Sequence, residues 1–138
     1  IIAMVKNSTL LLLVMFLFGC NIKFEQKDSK KNQEKKTEIF FLKKLIDFEI
    51  LPNDTNVEAI FHIKNLGSNK LIIKDVNPEC GCTGHILQNK RVMPGDSTSL
   101  TVKLSTKNQM KGLHRKAIFI ESNTEKEFNT LFMRFIVE

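Results

Sequence analysis

From Ile39 onward, hydrophobic and polar residues alternate in short runs broken by turn chemistry. Ile46-Asp47-Phe48-Glu49-Ile50 alternates with a period of two and stops at Pro52-Asn53-Asp54. Val57 to Lys64 alternates again, setting Val57, Ala59, Phe61 and Ile63 on one face, and Asn65-Leu66-Gly67-Ser68-Asn69 supplies a turn before the run from Leu71 to Val76. A period of two marks a half-buried strand, because side chains i and i+2 share a face. Ile86-Leu87 is a short strand candidate. Met93-Pro94-Gly95-Asp96 has Pro and Gly at the central positions of a type II turn. The run from Ser99 to Ser105 points Leu100, Val102 and Leu104 inward, and the runs from Lys116 to Glu121 and from Thr130 to Val137 flank a hairpin signal at Asn123-Thr124. No stretch carries a helical stripe. The pattern predicts an all-β fold, an immunoglobulin-like β-sandwich of about seven strands over residues 39–138. A small β-barrel is the other architecture it admits.

Upstream the texture differs. Ile1-Ile2-Ala3 precede Met4, which reads as a start, and Lys6 precedes the apolar run Leu10-Leu11-Leu12-Leu13-Val14-Met15-Phe16-Leu17-Phe18. As a helix that run spans only about 14 Å, well short of the ~30 Å hydrocarbon core. Residues 1–19 therefore read as a cleaved signal peptide rather than a membrane span. Leu17-Phe18-Gly19-Cys20 resembles the bacterial lipobox, with Cys20 as the lipid-attachment residue. An ordinary signal whose apolar run ends at a cysteine is the competing interpretation. Residues 20–38 are charged and polar with few apolar side chains, which suits a flexible tether rather than a core. The expected location is the bacterial cell envelope, with the chain lipid-anchored to a membrane and its domain outside the cytoplasm.

Composition narrows the function classes. Tyr and Trp are absent and eleven Phe carry all the aromatic content, so Phe, Ile, Leu and Val must fill the core. The formal charge of +6 includes Lys6 of the leader, and the rest is Lys-rich and scattered, with Arg only at positions 91, 115 and 134. A nucleic-acid footprint would cluster, so no nucleic-acid partner is expected. There is no Gly-x-Ser-x-Gly elbow, His-Glu-x-x-His motif or phosphate-binding glycine loop. The chain is therefore expected to be no enzyme and to need no cofactor.

The chemistry left over sits in Pro78-Glu79-Cys80-Gly81-Cys82-Thr83-Gly84. Three readings of Cys80 and Cys82 stand together. The pair suits a local disulfide, since Gly81 permits the torsions that so small a ring demands and export leads to an oxidising compartment. A strained, reducible pair could instead exchange with other thiols. Lys74 and Lys90 would favour the thiolate there, and Glu79 would oppose it. Cys80, Cys82 and His85 also offer two thiolates and an imidazole to copper(I) or zinc, with His62, His114, Met93 and Met110 as the further candidates for a fourth ligand.

Phe61-x-x-x-Asn65-x-Gly67, Leu71-x-Ile73, Cys80-Gly81-Cys82-Thr83, Pro94-Gly95-Asp96, Gly112 and Ser122-Asn123 occur in an order and spacing that carry a likeness. The chain resembles the bacterial lipoprotein family called domain of unknown function 1573, similar to Hydin-type immunoglobulin-like modules, over residues 45 to 138. The resemblance implies an immunoglobulin-like sandwich and an envelope location, and it carries no established activity. The function expected is a membrane-anchored binding or scaffolding module, with an envelope protein or glycan as its unidentified partner. The alternative is a thiol-redox or soft-metal accessory using Cys80 and Cys82.

Overall fold

The computed structural model describes residues 35–79 and 83–138, so Cys20, Cys80 and Cys82 lie outside the described residues. Among the described residues nine strands follow in order: β1 (Ile39–Phe41), β2 (Leu45–Leu51), β3 (Asn56–Asn65), β4 (Leu71–Pro78), β5 (Thr83–Leu87), β6 (Arg91–Val92), β7 (Ser97–Ser105), β8 (Gly112–Ser122) and β9 (Phe128–Val137). They form a four-stranded sheet, β1-β3-β7-β5, and a five-stranded sheet, β2-β9-β8-β4-β6. Every pairing between strands is antiparallel except β2 with β9. This is the expected β-sandwich, with nine strands where about seven were expected. The two extra strands, β1 and β6, are three and two residues long, too short to show a period.

Alternation sets the core. Phe61, Ile63, Leu100, Val102 and Leu104 are buried from one sheet, and Ile73, Ile118, Ile120, Leu131, Met133 and Phe135 from the other. Consecutive strands mostly lie in opposite sheets, so nearly every connection crosses the sandwich and only β8–β9 closes as a hairpin within one sheet. The Met93-to-Asp96 turn is type II as expected: Gly95 has φ of 84° and the Asp96 N–H donates to the Met93 carbonyl at 3.1 Å. One alternation fails. Ile46, Phe48 and Ile50 were expected on one face, but a bulge between Asp47 and Ile50, with Glu49 at φ of 58°, turns Ile50 outward beside Ile136.

Polar side chains organise one end of the sandwich. Asn65 is fully buried; its amide donates to the carbonyls of Asn69 (2.8 Å) and Val92 (3.0 Å), and its oxygen accepts from the Gly67 N–H (3.1 Å). Asn123 donates to the carbonyls of Lys35 and Lys70, both at 2.9 Å, and its oxygen accepts from the Ile72 N–H at 2.7 Å. These two carboxamides clasp the incoming chain. The Thr37 hydroxyl lies 2.9 Å from Asn65 Oδ1, and the Thr37 N–H donates to the Asn123 carbonyl at 3.1 Å. Residues 35–38, assigned from sequence to the flexible tether, are therefore part of the folded body. No apolar pattern marks these residues because the attachment is made by backbone, carboxamide and hydroxyl groups. Gly67 is required by the same packing: a Cβ would come within 2.2 Å of Thr37 Oγ1 and 2.5 Å of the Glu38 nitrogen.

Removing the Asn65 carboxamide leaves several buried partners without hydrogen bonds. Asn65→Ala is expected to cost about 3 kcal/mol in urea unfolding. Gly67→Ala is expected to release residues 35–38 first, read as faster amide exchange at Thr37 with the β3 and β7 amides still protected.

Two ion-pair groups lie on the outer face of the five-stranded sheet. Arg134 Nε donates to Asp47 Oδ2 at 2.8 Å, and Lys74 bridges Glu127 (2.9 Å) and Glu121 (3.5 Å). The Arg134 hydrogen bond holds the Asp47 carboxyl below its ordinary range, and Lys74 does the same for Glu127. A carboxyl depressed by folding contributes stability above its unfolded pKa and loses it as pH falls through the folded value. Wild type should therefore lose thermal midpoint on acidification through the depressed Asp47 and Glu127 values. Asp47→Asn, lacking one of these carboxyls, should show a shallower acid dependence.

Candidate functional site

Pro78 ends β4 in one sheet and Thr83 opens β5 in the other, so the link carrying Cys80 and Cys82 joins the two sheets. The near side of this link is held by Glu79, whose N–H donates to the Ala117 carbonyl at 2.9 Å and whose carboxylate accepts from the Ala117 N–H at 3.1 Å. Of the lysines expected beside the cysteines, Lys74 is committed to Glu127 and, less closely, Glu121, and the Glu127 hydrogen bond chiefly raises its pKa. Lys90 hydrogen-bonds through its carbonyl to the Ile73 N–H, toward the start of β4 rather than its end at the link.

The histidines do not gather. His85 is exposed on the edge strand β5, opposite Val102. Val102 faces the core, so His85 is on the inner side of the sheet at its margin. His62, between buried Phe61 and Ile63, lies on the outer face of the same sheet. The sheet thus separates His62 from His85. His114 is engaged elsewhere: its Nε2 is 2.6 Å from the Met110 carbonyl and its ring stacks on Phe135 with centroids 5.1 Å apart. Met93 and Met110 are exposed, on a turn and a connection. Among the described residues, no three His, Cys, Asp or Glu side chains converge as metal ligands.

The sequence reading missed the outer face of the five-stranded sheet. By register, Ile50, Ile136 and Leu113 form one row across β2, β9 and β8. Asp47, Arg134 and Arg115 form the next, followed by Leu45, Phe132 and Ala117. Ile50 is 54% exposed, Leu113 69% and Ile136 40%. With Asp47, Glu49 and Arg134 these three line a trough of about 460 Å³. The Arg115 guanidinium lies 3.8 Å from the Phe132 ring centroid, covering it. Farther along, exposed Phe119 and Phe128 line a second depression with Asp75, Asn77 and Glu121. An outward strand face normally carries polar residues, so a run of apolar ones on three adjacent strands is a feature to be explained. The available signal was an apolar residue at both phases of the period, as in Phe135-Ile136-Val137 and Ile118-Phe119-Ile120.

Solved structures share this architecture. A protein of unknown function from Porphyromonas gingivalis W83 superposes with a TM-score of 0.66 at 16% identity, covering 75% of this chain and 48% of that one. The secreted serine protease VesC from Vibrio cholerae gives 0.56 at 9% identity, over 77% of this chain and 24% of the protease. An ASH/PapD-like domain of human CEP192 gives 0.50 at 12% identity, over 75% and 87%. The chain thus spans about half of the Porphyromonas protein and a quarter of the protease, and these likenesses concern the fold. No curated protein matches the sequence. The family model described as "Protein of unknown function (DUF1573)" matches residues 39–137, nearly the whole sandwich from β1 to β9. The chain belongs to the DUF1573 family.

Proposed function

We propose that this chain is a lipid-anchored envelope protein, attached through Cys20, whose sandwich is a binding or scaffolding module. The observation that carries the binding role is the apolar outer face around Ile50, Ile136 and Leu113, bordered by Asp47, Arg134 and Arg115. Contiguous apolar surface rimmed by charge is the signature of a protein-contact region. The anchor rests on the apolar run, the lipobox-like Leu17-Phe18-Gly19-Cys20 and the polar stretch after it. Lys35 and Thr37 are held at the clasped end by Asn123, and Glu79 pairs with Ala117, midway along β8.

A second reading, a thiol or soft-metal accessory, draws on one observation: His85 is exposed and only three residues beyond Cys82. Replacing Cys80 and Cys82 together by Ser separates the readings. Loss of copper(I) uptake or thiol exchange by a normally folded variant supports the accessory, whereas retained partner contact supports the module. For the proposed function, cells fed labelled fatty acid should tag the wild type, and Cys20→Ser should be unlabelled and released from membranes. Leu113→Glu should reduce in-cell photo-crosslinking from the outer face while changing stability by less than about 0.5 kcal/mol, as expected of an exposed position. An unlabelled wild type would remove the anchor, and crosslinking indifferent to Leu113 would remove the contact face.

A further inference from the structure

The sheet edges are unequally defended. β2 is kinked by its bulge and carries Asp47 and Glu49. β4 is bulged beside Lys74, carries Asp75 and is partly covered by β6. β1 is three residues long and is flanked by Glu38, Lys43 and Lys44. Bulges, charges and shortness are the usual means of blocking edge-to-edge pairing. β5 has no such device: Thr83–Leu87 pairs with β7 in unbroken register and contains no proline, acid, lysine or arginine. Its Ile86 side chain is 57% exposed.

The phase of the ladder shows which backbone groups this edge presents. The Gln88 N–H donates to the Ser99 carbonyl at 3.0 Å, continuing the Leu87–Leu100 register as a hydrogen-bonded pair. Alternation then directs the N–H and C=O groups of Gly84 and Ile86 toward β7, and those of Thr83, His85 and Leu87 away from it.

We propose that β5 is a self-association edge, pairing antiparallel with β5 of a second copy about a two-fold axis at His85 and continuing the four-stranded sheet across both chains. With His85 opposite its copy, Thr83 falls opposite Leu87 and Gly84 opposite Ile86. Thr83, His85 and Leu87 are the residues whose backbone groups point outward, so this register matches them all. On the outer face, Ile86 of each chain lies over Gly84 of the other. A Cβ at Gly84 would meet nothing within 4 Å, and Gly84 borders a trough of about 600 Å³ lined also by Glu58, Lys103 and Leu104. The exposed isoleucine fills the space that the glycine leaves, twice by symmetry. One short strand pair buries less than the roughly 1,200 Å² at which stable interfaces begin, so the dimer is weak and concentration-dependent.

Sedimentation velocity of the full chain in detergent, with reductant to remove any intermolecular disulfide, tests this. Wild type should shift from monomer to dimer as concentration rises. His85→Pro removes an outward N–H and leaves the β5–β7 hydrogen bonds in place. It should move the association midpoint at least about tenfold higher, with an unchanged circular dichroism spectrum. Gly84→Val, whose Cβ meets nothing within 4 Å in the monomer and whose methyls take the place of the partner's Ile86, should do the same. A chain that stays monomeric up to about 1 mM overturns the proposal. So does a dimer indifferent to both variants, or one abolished by Leu113→Glu and not by His85→Pro, which would put the contact on the other sheet.

Discussion

Each sheet has a single face to bury, and the two buried faces have only each other. Phe61, Ile63, Leu100 and Val102 meet Ile118, Ile120, Met133 and Phe135 across the middle of the molecule, and the other features of the fold follow from keeping them there. Because neighbours in sequence mostly sit in opposite sheets, the chain has to cross the sandwich at almost every connection. Each crossing brings backbone polar groups close to the core. Side chains satisfy them: Asn65 and Asn123 at one end, and at the other Thr106, whose hydroxyl reaches the Pro52 carbonyl at 2.8 Å and accepts from the Thr55 N–H at 2.8 Å. No buried side-chain nitrogen or oxygen among the described residues lacks a partner.

This division of labour explains what could be read from the sequence. The strands that build the core, such as Val57 to Ile63 and Leu100 to Leu104, announce themselves by strict alternation, since a one-residue slip would expose the whole apolar set. The Pro94-Gly95 turn is legible because only particular residues accept its torsions. The strands that escape notice, β1 and β6, are short and held by neighbours rather than by their own pattern. Ile50 escapes for a different reason: a bulge changes the phase of its strand, and the residue in left-handed conformation is Glu49, not a glycine that would have marked the place.

The candidate sites divide along similar lines. Cysteines and histidines attract attention because their chemistry is distinctive wherever they sit, yet the sheet places His62 and His85 on opposite faces and stacks His114 against Phe135. The apolar outer face drew no attention because Leu113, Phe119, Phe128 and Ile136 are ordinary residues in strands already rich in them. Only the register between β8 and β9 sets Leu113 beside Ile136 and Phe119 near Phe128. Surfaces of this kind belong to strand pairing, which a single sequence encodes weakly.

The clasp at Asn65 and Asn123 has a mechanical consequence. A pull transmitted through the chain ahead of Lys35 reaches hydrogen bonds first: Asn123 to the Lys35 carbonyl, Asn69 to the Lys36 carbonyl at 2.8 Å, then Thr37 to Asn123 and Asn65. These links are arranged one after another along three residues, so they open singly, like a zip, and not together. Under tension the strap would yield before β1 is loaded, while the apolar interior stays closed. The buried carboxamides thus act as a fuse between residues 35–37 and the body of the sandwich.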